Sequence, residues 1–345
     1  MKNVFLYGII IKKSLKRGEK LNYLLFLQGL RQSAGEWLTY AIFYISDLTS
    51  GAMGMIVPAL LYWCVNKNAG AYMMMSYAAA ANVNQTIKNA ACVYRPFIKD
   101  ARLIPFPKAV PGATGYSFPS GHTTNAVSLY GSFALWQRKR KWVTAICVFM
   151  ILFTGFARNW VGVHSLPDVL VALLVSGIVL AGVSVVFGYL ETHPEKDYIV
   201  VIVGMVLTAA LLIFCSLKSY PVDYLPDGSI LVDPEKMKTD CFRMCGVAYG
   251  FLGGWLIERR FIKFGTDISF WNKVLRFVIG FAIVLPLYAA VFPIILSPLG
   301  EHFGKMLKYF FTFLIITAGY PSLFTVFEKH IKTRKIKKRK RKLLK

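Results

Sequence analysis

Three groups of residues in this chain have the types and spacing to do chemistry. Lys88 and Arg95-Pro96 stand at Lys-x6-Arg-Pro spacing, Pro119-Ser120-Gly121-His122 form one block, and Arg158, His164 and Asp168 read Arg-x5-His-x3-Asp. Together they supply three cations, two imidazoles and one carboxylate. Guanidinium and ammonium groups hold phosphoryl oxygens. A carboxylate on one imidazole nitrogen fixes the tautomer and leaves the other nitrogen as a nucleophile. The inventory suits binding a phosphate and cleaving its ester through a histidine.

Each group also has a plainer reading. Seven residues are almost two helical turns, so Lys88 and Arg95 are expected on one face of one helix, about 10 Å apart, with Pro96 ending it. Alone, two cations at the end of a span also fit snorkelling to the interface. Ser120 fits an N-cap, Gly121 lets backbone approach a ligand, and the free amides of the helix start make an anion site. His122 there could protonate a departing oxygen, or sit in a polar network with Asn125. His164 precedes a helix start at Ser165, and Asp168 fits either a partner for His164 or the acidic member of a capping box with Pro167 in the first turn. The remaining histidines, His193, His302 and His330, fall in loops or the tail and receive no role. Two histidines among cations make a poor zinc set, so the site is read as an anion site with no metal and no cofactor.

The elements that must position these groups belong in a membrane. The chain has 345 residues, 56% of them hydrophobic and 17% charged, where a soluble domain carries about a quarter charged residues. Its apolar residues come in long runs. The expected fold is all-α, a polytopic transmembrane helical bundle of about nine spans, near 52–66, 70–92, 122–137, 141–158, 166–190, 198–217, 241–258, 274–297 and 306–327. Residues 1–50 read as a basic N-terminal and interfacial segment with a turn at Ser46–Gly51. Residues 51–190 form the core with the three motifs, 191–328 add further helices, and 329–345 form a basic cytoplasmic tail. Polar loops are expected at 93–121 and 218–240. Six cysteines without a Cys-x2-Cys pair indicate neither a disulfide framework nor a zinc site. The apolar stretch Val4–Ile11 leads into Lys12 and Lys13 and does not read as a signal peptide.

The net charge of +24 is concentrated at the ends of apolar segments: in the tail, at Arg138–Lys141 and at Arg259–Lys263. That pattern follows the positive-inside rule and contact with anionic lipids, not nucleic-acid binding. Threading the spans puts all three basic segments on the cytoplasmic side and all three motifs on the exoplasmic or periplasmic side. It also puts the N-terminus outside, against Lys12, Lys13, Lys16, Arg17 and Lys20.

The ordered motifs over residues 88–168 resemble the three-part signature of the type 2 phosphatidic acid phosphatase superfamily, which includes membrane lipid phosphatases, soluble acid phosphatases and vanadium haloperoxidases. The stretch Tyr62-Trp63-Cys64 also resembles the sphingosine-1-phosphate-phosphatase-like branch. One position departs: Ala157 stands where the third motif begins with serine, removing a hydroxyl from the phosphate site. The resemblance implies that His164 attacks phosphorus to form a phosphohistidine, that Asp168 orients it, and that His122 protonates the leaving oxygen and then activates water. It implies that Lys88, Arg95, Ser120, Gly121 and Arg158 hold the phosphoryl oxygens, and that no metal is required.

The expected function is an integral membrane phosphatase acting on a lipid phosphate monoester or lipid pyrophosphate at the outer face. Alternatives are a lipid phosphotransferase using the same residues and a non-enzymatic phospholipid or anion transporter, in which Asn82, Asn84 and Gln85 would be pathway groups. Tyr116 and Phe118 are candidates for contact with the lipid chain or for interfacial anchoring. Neither the particular lipid, the oligomeric state nor the role of the helices after residue 190 follows from the spacing.

Overall fold

In hydrocarbon a backbone has no water to bond, so apolar runs satisfy their own N–H and C=O groups as helices. The computed structural model describes residues 21–48, 53–113, 115–224, 228 and 230–330, and apart from one isolated bridge, Tyr224 to Ile230, its regular structure there is helical. The chain is all-α, as expected. The leading basic segment 1–20, the turn residues Thr49–Gly51 and the tail beyond His330 lie outside the described residues.

Two amphipathic helices come first, α1 (Asn22–Ser33) and α2 (Glu36–Asp47). Then follow α3 (Met53–Leu60, continued by a π turn Leu61–Val65) and α4 (Lys67–Ala91). After the motif-bearing loop come α5 (Gly121–Ala126, running on through Val127–Gly131 and Ser132–Trp136), α6 (Lys141–Trp160) and α7 (Leu166–Thr192). The second half holds α8 (Asp197–Leu217), α9 (Pro234–Ile257, wound on through Glu258–Ile262), α10 (Phe270–Pro286, extended to Leu296) and α11 (Gly300–Leu314, continued through Ile315–Gly319 and residues 320–330).

Each expected span coincides with one helix from α3 to α11, but not all are equally apolar. Among the described residues, four helical stretches suffice by length and composition to cross a membrane: Lys141–Trp160, Leu166–Thr192, Pro194–Leu217 and Phe270–His330. Helices α4 and α9 bury many more of their residues, Asn84, Gln85, Lys88 and Asn89 in α4 among them. A helix surrounded by other helices need not be apolar towards lipid, which is why these two carry polar groups at membrane depth.

The second half is closely packed within itself and bonded to the first. On α9, a Cβ added at Gly246 would lie 2.1 Å from the carbonyl oxygen of Met306, and one at Gly250 would lie 2.2 Å from that of Phe310. Only glycine permits α11 so near, the small-x3-small device of membrane helices. Trp63 Nε1 donates to the Ile316 carbonyl at 2.7 Å and Tyr62 Oη to that of Thr317 at 3.1 Å, tying α3 to the same helix. The Tyr62-Trp63-Cys64 stretch is thus buried core.

Charged pairs mark one end of the bundle. Lys67 at the start of α4 meets Glu258 at 2.8 Å, and Asp197 at the start of α8 pairs with Arg259 and Arg260. Lys88 lies in the last turn of α4, at the other end of that helix from Lys67.

Candidate active site

Helix α4 delivers Lys88 in its last turn. The helix stops at Cys92, whose φ of 47° is left-handed, and Arg95 follows in extended backbone (φ −64°, ψ 151°) as the residue before Pro96 must. Lys88 and Arg95 therefore do not share a helical face, contrary to the seven-residue spacing. A turn and an extended segment separate them, and Arg95 reaches the site from the loop. There its Nε donates to the Gly115 carbonyl at 2.9 Å and its Nη1 to that of Val163 at 3.0 Å. Lys88 Nζ donates to the Tyr116 carbonyl at 3.3 Å. Both cations are fixed by backbone oxygens rather than left to snorkel.

The second motif opens α5 as its residues dictate. The Ser120 hydroxyl caps the Thr123 amide, and the Ser120 amide donates to the Asp168 carbonyl at 3.0 Å, which docks the start of α5 beside the start of α7. Nothing lies within 4 Å of the place a Cβ would take on Gly121. His122 does not bond Asn125. Its Nε2 donates to Asp47 Oδ1 at 2.9 Å, and that bond holds the Asp47 carboxyl below the usual carboxylate range and therefore ionised. Nδ1 of His122 is left for proton exchange.

The third motif joins α6 to α7 through a tight turn in which the Val163 and His164 amides both donate to the Arg158 carbonyl. His164 Nε2 accepts from Arg95 Nη1 at 2.8 Å, so the ring proton belongs on Nδ1. That nitrogen faces Ser117 Oγ at 3.4 Å and Asp168 Oδ2 at 3.6 Å. Ser117 in turn donates to Asp168 Oδ2, so its hydroxyl bridges imidazole and carboxylate. Asp168 Oδ2 also accepts from the Ser165 amide at 2.6 Å, closing the capping box. The two readings of Asp168 are both true of one oxygen. Burial, and then the neighbouring Arg95 charge, hold the His164 imidazole well below the ordinary histidine range, so it is a neutral base with a lone pair on Nε2.

Lys88, Arg95, Gly121, His122 and His164 line one cavity of about 260 Å³, with Asn84 and Gln85 on its wall. Three residues read from the motifs stand behind that wall. Asp168 supports His164, Ser120 caps α5, and Arg158 turns to α2, where Nη2 donates to Ser46 Oγ and the guanidinium lies 5.6 Å from the Phe43 ring. Tyr116 is buried against Val232 and Met237, so it neither touches lipid nor anchors at an interface.

Sequence reasoning missed three residues here. Ser46 and Asp47 read as part of a turn, yet they end α2 and hold Arg158 and His122. Ser117 lay between two motifs and carried no signal beyond its neighbourhood. A positioning role for Asp47 makes a measurable difference: Asp47→Asn should lower kcat about tenfold with KM little changed, since general acid–base catalysis as a whole is worth about 10²–10⁴. The pH profile of kcat should shift as well, and an unchanged profile would reduce Asp47 to a packing residue.

Residues 69–192 match the family model described as PAP2 superfamily, and residues 242–333 match that described as PAP2 superfamily phosphatase, transmembrane extension. The chain is 44% identical over 70 residues to undecaprenyl-diphosphatase BcrC of Bacillus subtilis (strain 168), a match covering 20% of this chain and 35% of that protein. It is 26% identical over 204 residues to phosphatidylglycerophosphatase B of Escherichia coli (strain K12), covering 45% of this chain and 80% of that protein. No solved structure matches the chain.

Proposed function

We propose that this chain, which belongs to the PAP2 superfamily and carries that family's transmembrane extension, hydrolyses the terminal phosphate of a membrane lipid through a phosphohistidine. The observation that carries the reading is the His164 arrangement: a neutral imidazole whose Nε2 faces Arg95 in a cavity shared with Lys88 and His122, backed by Ser117 and Asp168. A protein that only bound or moved an anion would need the cations and not this relay.

In the first step His164 Nε2 attacks phosphorus, the bond from phosphorus to the lipid oxygen breaks, and His122, entering the step as the imidazolium with Nε2–H on the Asp47 carboxylate, gives that oxygen its Nδ1 proton. Imidazolium charge forming on His164 is stabilised by Asp168 through Nδ1 and Ser117. Lys88, Arg95 and the Gly121 amide hold the phosphoryl oxygens, and the Arg95 Nη1 that meets Nε2 is the donor that moves onto the phosphate. Water, deprotonated by His122, then attacks the phosphohistidine and releases inorganic phosphate. Ser120 and Arg158 act from behind the wall, Ser120 by starting α5 and Arg158 by charge felt at Arg95 and Asp47.

The cavity lies at the helix ends opposite Arg138–Lys141 and Arg259–Lys263, which supports a multi-pass cell-membrane protein with its site on the exoplasmic or periplasmic face and a cytoplasmic C-terminus. Within it, residues 51–190 act as the catalytic core and the later helices as a second body against it. The test is phosphate release by the purified protein from lipid monophosphates and diphosphates in excess chelator. Release unaffected by chelator and blocked competitively by vanadate is expected. No release from any lipid, with vanadate still bound, would replace the hydrolase by a transferase or a binding protein.

A further inference from the structure

The catalytic cavity contains a cation, Arg243, that the three motifs do not supply. Helix α9 begins at Pro234, seven residues before the apolar span expected there, because Asp233 caps it and Pro234 occupies its first turn. The added turns bring Asp240, and the first turn of the expected span brings Arg243, to the wall of the cavity that holds Lys88, Arg95 and His164. Arg243 Nη2 meets Asp240 Oδ1 at 3.3 Å, and its Nε, though shielded, has no partner among the described residues. The guanidinium lies 5.8 Å from the centre of the Tyr309 ring on α11.

Tyr309 gives the cavity a direction. Its hydroxyl bonds that of Tyr288 at 2.9 Å, and Tyr288 lines an adjoining apolar cleft with Phe281, Leu285 and Ile316. Met55 lines both spaces. Contacts thus run from Arg243 to Tyr309, from Tyr309 to Tyr288, and from Tyr288 into the apolar cleft, while Arg243 shares its cavity with the motif cations. A lipid with one phosphate on the motif cations and its chain in that cleft would leave Arg243 idle.

We propose that Arg243 binds a second phosphate, placed in the substrate between the scissile phosphate and the hydrocarbon, so that this protein selects lipids carrying two phosphates over simple lipid monophosphates. The inference rests on the phosphatase reading above and deepens it. The second phosphate takes the part of the Arg243 fork that Asp240 leaves open, while Asp240 on Nη2 holds the guanidinium in place. For a lipid diphosphate the balance is water plus diphosphate giving lipid monophosphate and inorganic phosphate. The departing oxygen then belongs to the phosphate on Arg243, whose cation stabilises the charge it gains. The helices after residue 190 thereby read the part of the headgroup nearest the chain.

The experiment compares kcat/KM for a polyprenyl diphosphate and the polyprenyl monophosphate of equal chain length, in the full-length protein and in Arg243→Gln and Arg243→Lys. The wild type should favour the diphosphate by about 10- to 100-fold, the range one charge-assisted hydrogen bond gives. Arg243→Gln should collapse that ratio by at least about tenfold, and Arg243→Lys should retain part of it, showing that charge and not folding is being read. A wild-type ratio near one, or a ratio unchanged in Arg243→Gln, overturns the proposal while leaving the phosphatase standing. Absence of hydrolysis of both lipids by the wild type removes the phosphatase reading itself, and this inference with it.

Discussion

Replacing His164 by alanine should abolish phosphate release, by roughly 10⁴-fold or more, as expected when a covalent nucleophile is deleted. The side chain is almost wholly buried and supports no other element through its ring beyond contacts with Arg95, Ser117 and Asp168. Its removal should leave the bundle folded, so the loss should fall in kcat while vanadate still competes for Lys88 and Arg95. Rapid quenching of the wild type with labelled substrate should trap an acid-labile phosphoenzyme that His164→Ala does not form. Turnover persisting in the variant would end the covalent route.

The depressed basicity of this imidazole also fixes a pH dependence. Protonation removes the nucleophilic lone pair, and burial beside Arg95 postpones it to pH values below the ordinary histidine range. Activity contributed by neutral His164 should therefore persist as pH falls through about 6.5, where an unperturbed histidine would already be half protonated. An acid limb at that pH, after correction for ionisation of the substrate phosphate, would contradict the arrangement.

Asp168→Asn carries the second large effect, and the structure says how it divides. One carboxylate oxygen accepts from Ser117 and from the Ser165 amide and faces His164 Nδ1. Losing the negative charge removes the stabilisation of imidazolium in the transition state, and an amide group in that place can favour the wrong tautomer. A fall of about 10²–10⁴ in kcat is expected, comparable with the loss of a catalytic carboxylate elsewhere. The capping oxygen is kept by asparagine, so the start of α7 should weaken by only about 1 kcal/mol, within the range of cap substitutions. Thermal unfolding in detergent beside kinetics separates the two. A large loss of stability with normal specific activity of the remaining folded protein would make Asp168 a cap and nothing more.

Much of this protein is legible before any folding. Long apolar runs require helices, because only a helix satisfies its own backbone inside hydrocarbon, and each expected span has its helix. Ser120 and Ser165 mark helix starts because N-capping is decided within four residues of chain. The chemistry of Lys88, Arg95, His122, His164 and Asp168 follows from residue type and order, since an anion site needs cations and a relay needs a carboxylate near an imidazole. The boundaries failed where local order was interrupted: Cys92 turns left-handed four residues before Pro96, and α9 starts at Pro234 in a polar stretch read as loop.

What the tertiary structure alone decided is which distant residues complete the site. Asp47 reaches His122 across 75 residues of chain, Ser46 reaches Arg158 across 112, and Ser117 reaches Asp168 across 51. Arg243 enters the same cavity from a helix outside the motif region altogether. No periodicity encodes such contacts. They arise because α2 packs on α6, α7 docks on the start of α5, and the glycines of α9 let α11 close the far wall. Local chain order sets helices, caps and chemical types. Which side chains share a cavity is set by how the helices pack, and packing depends on all of them at once.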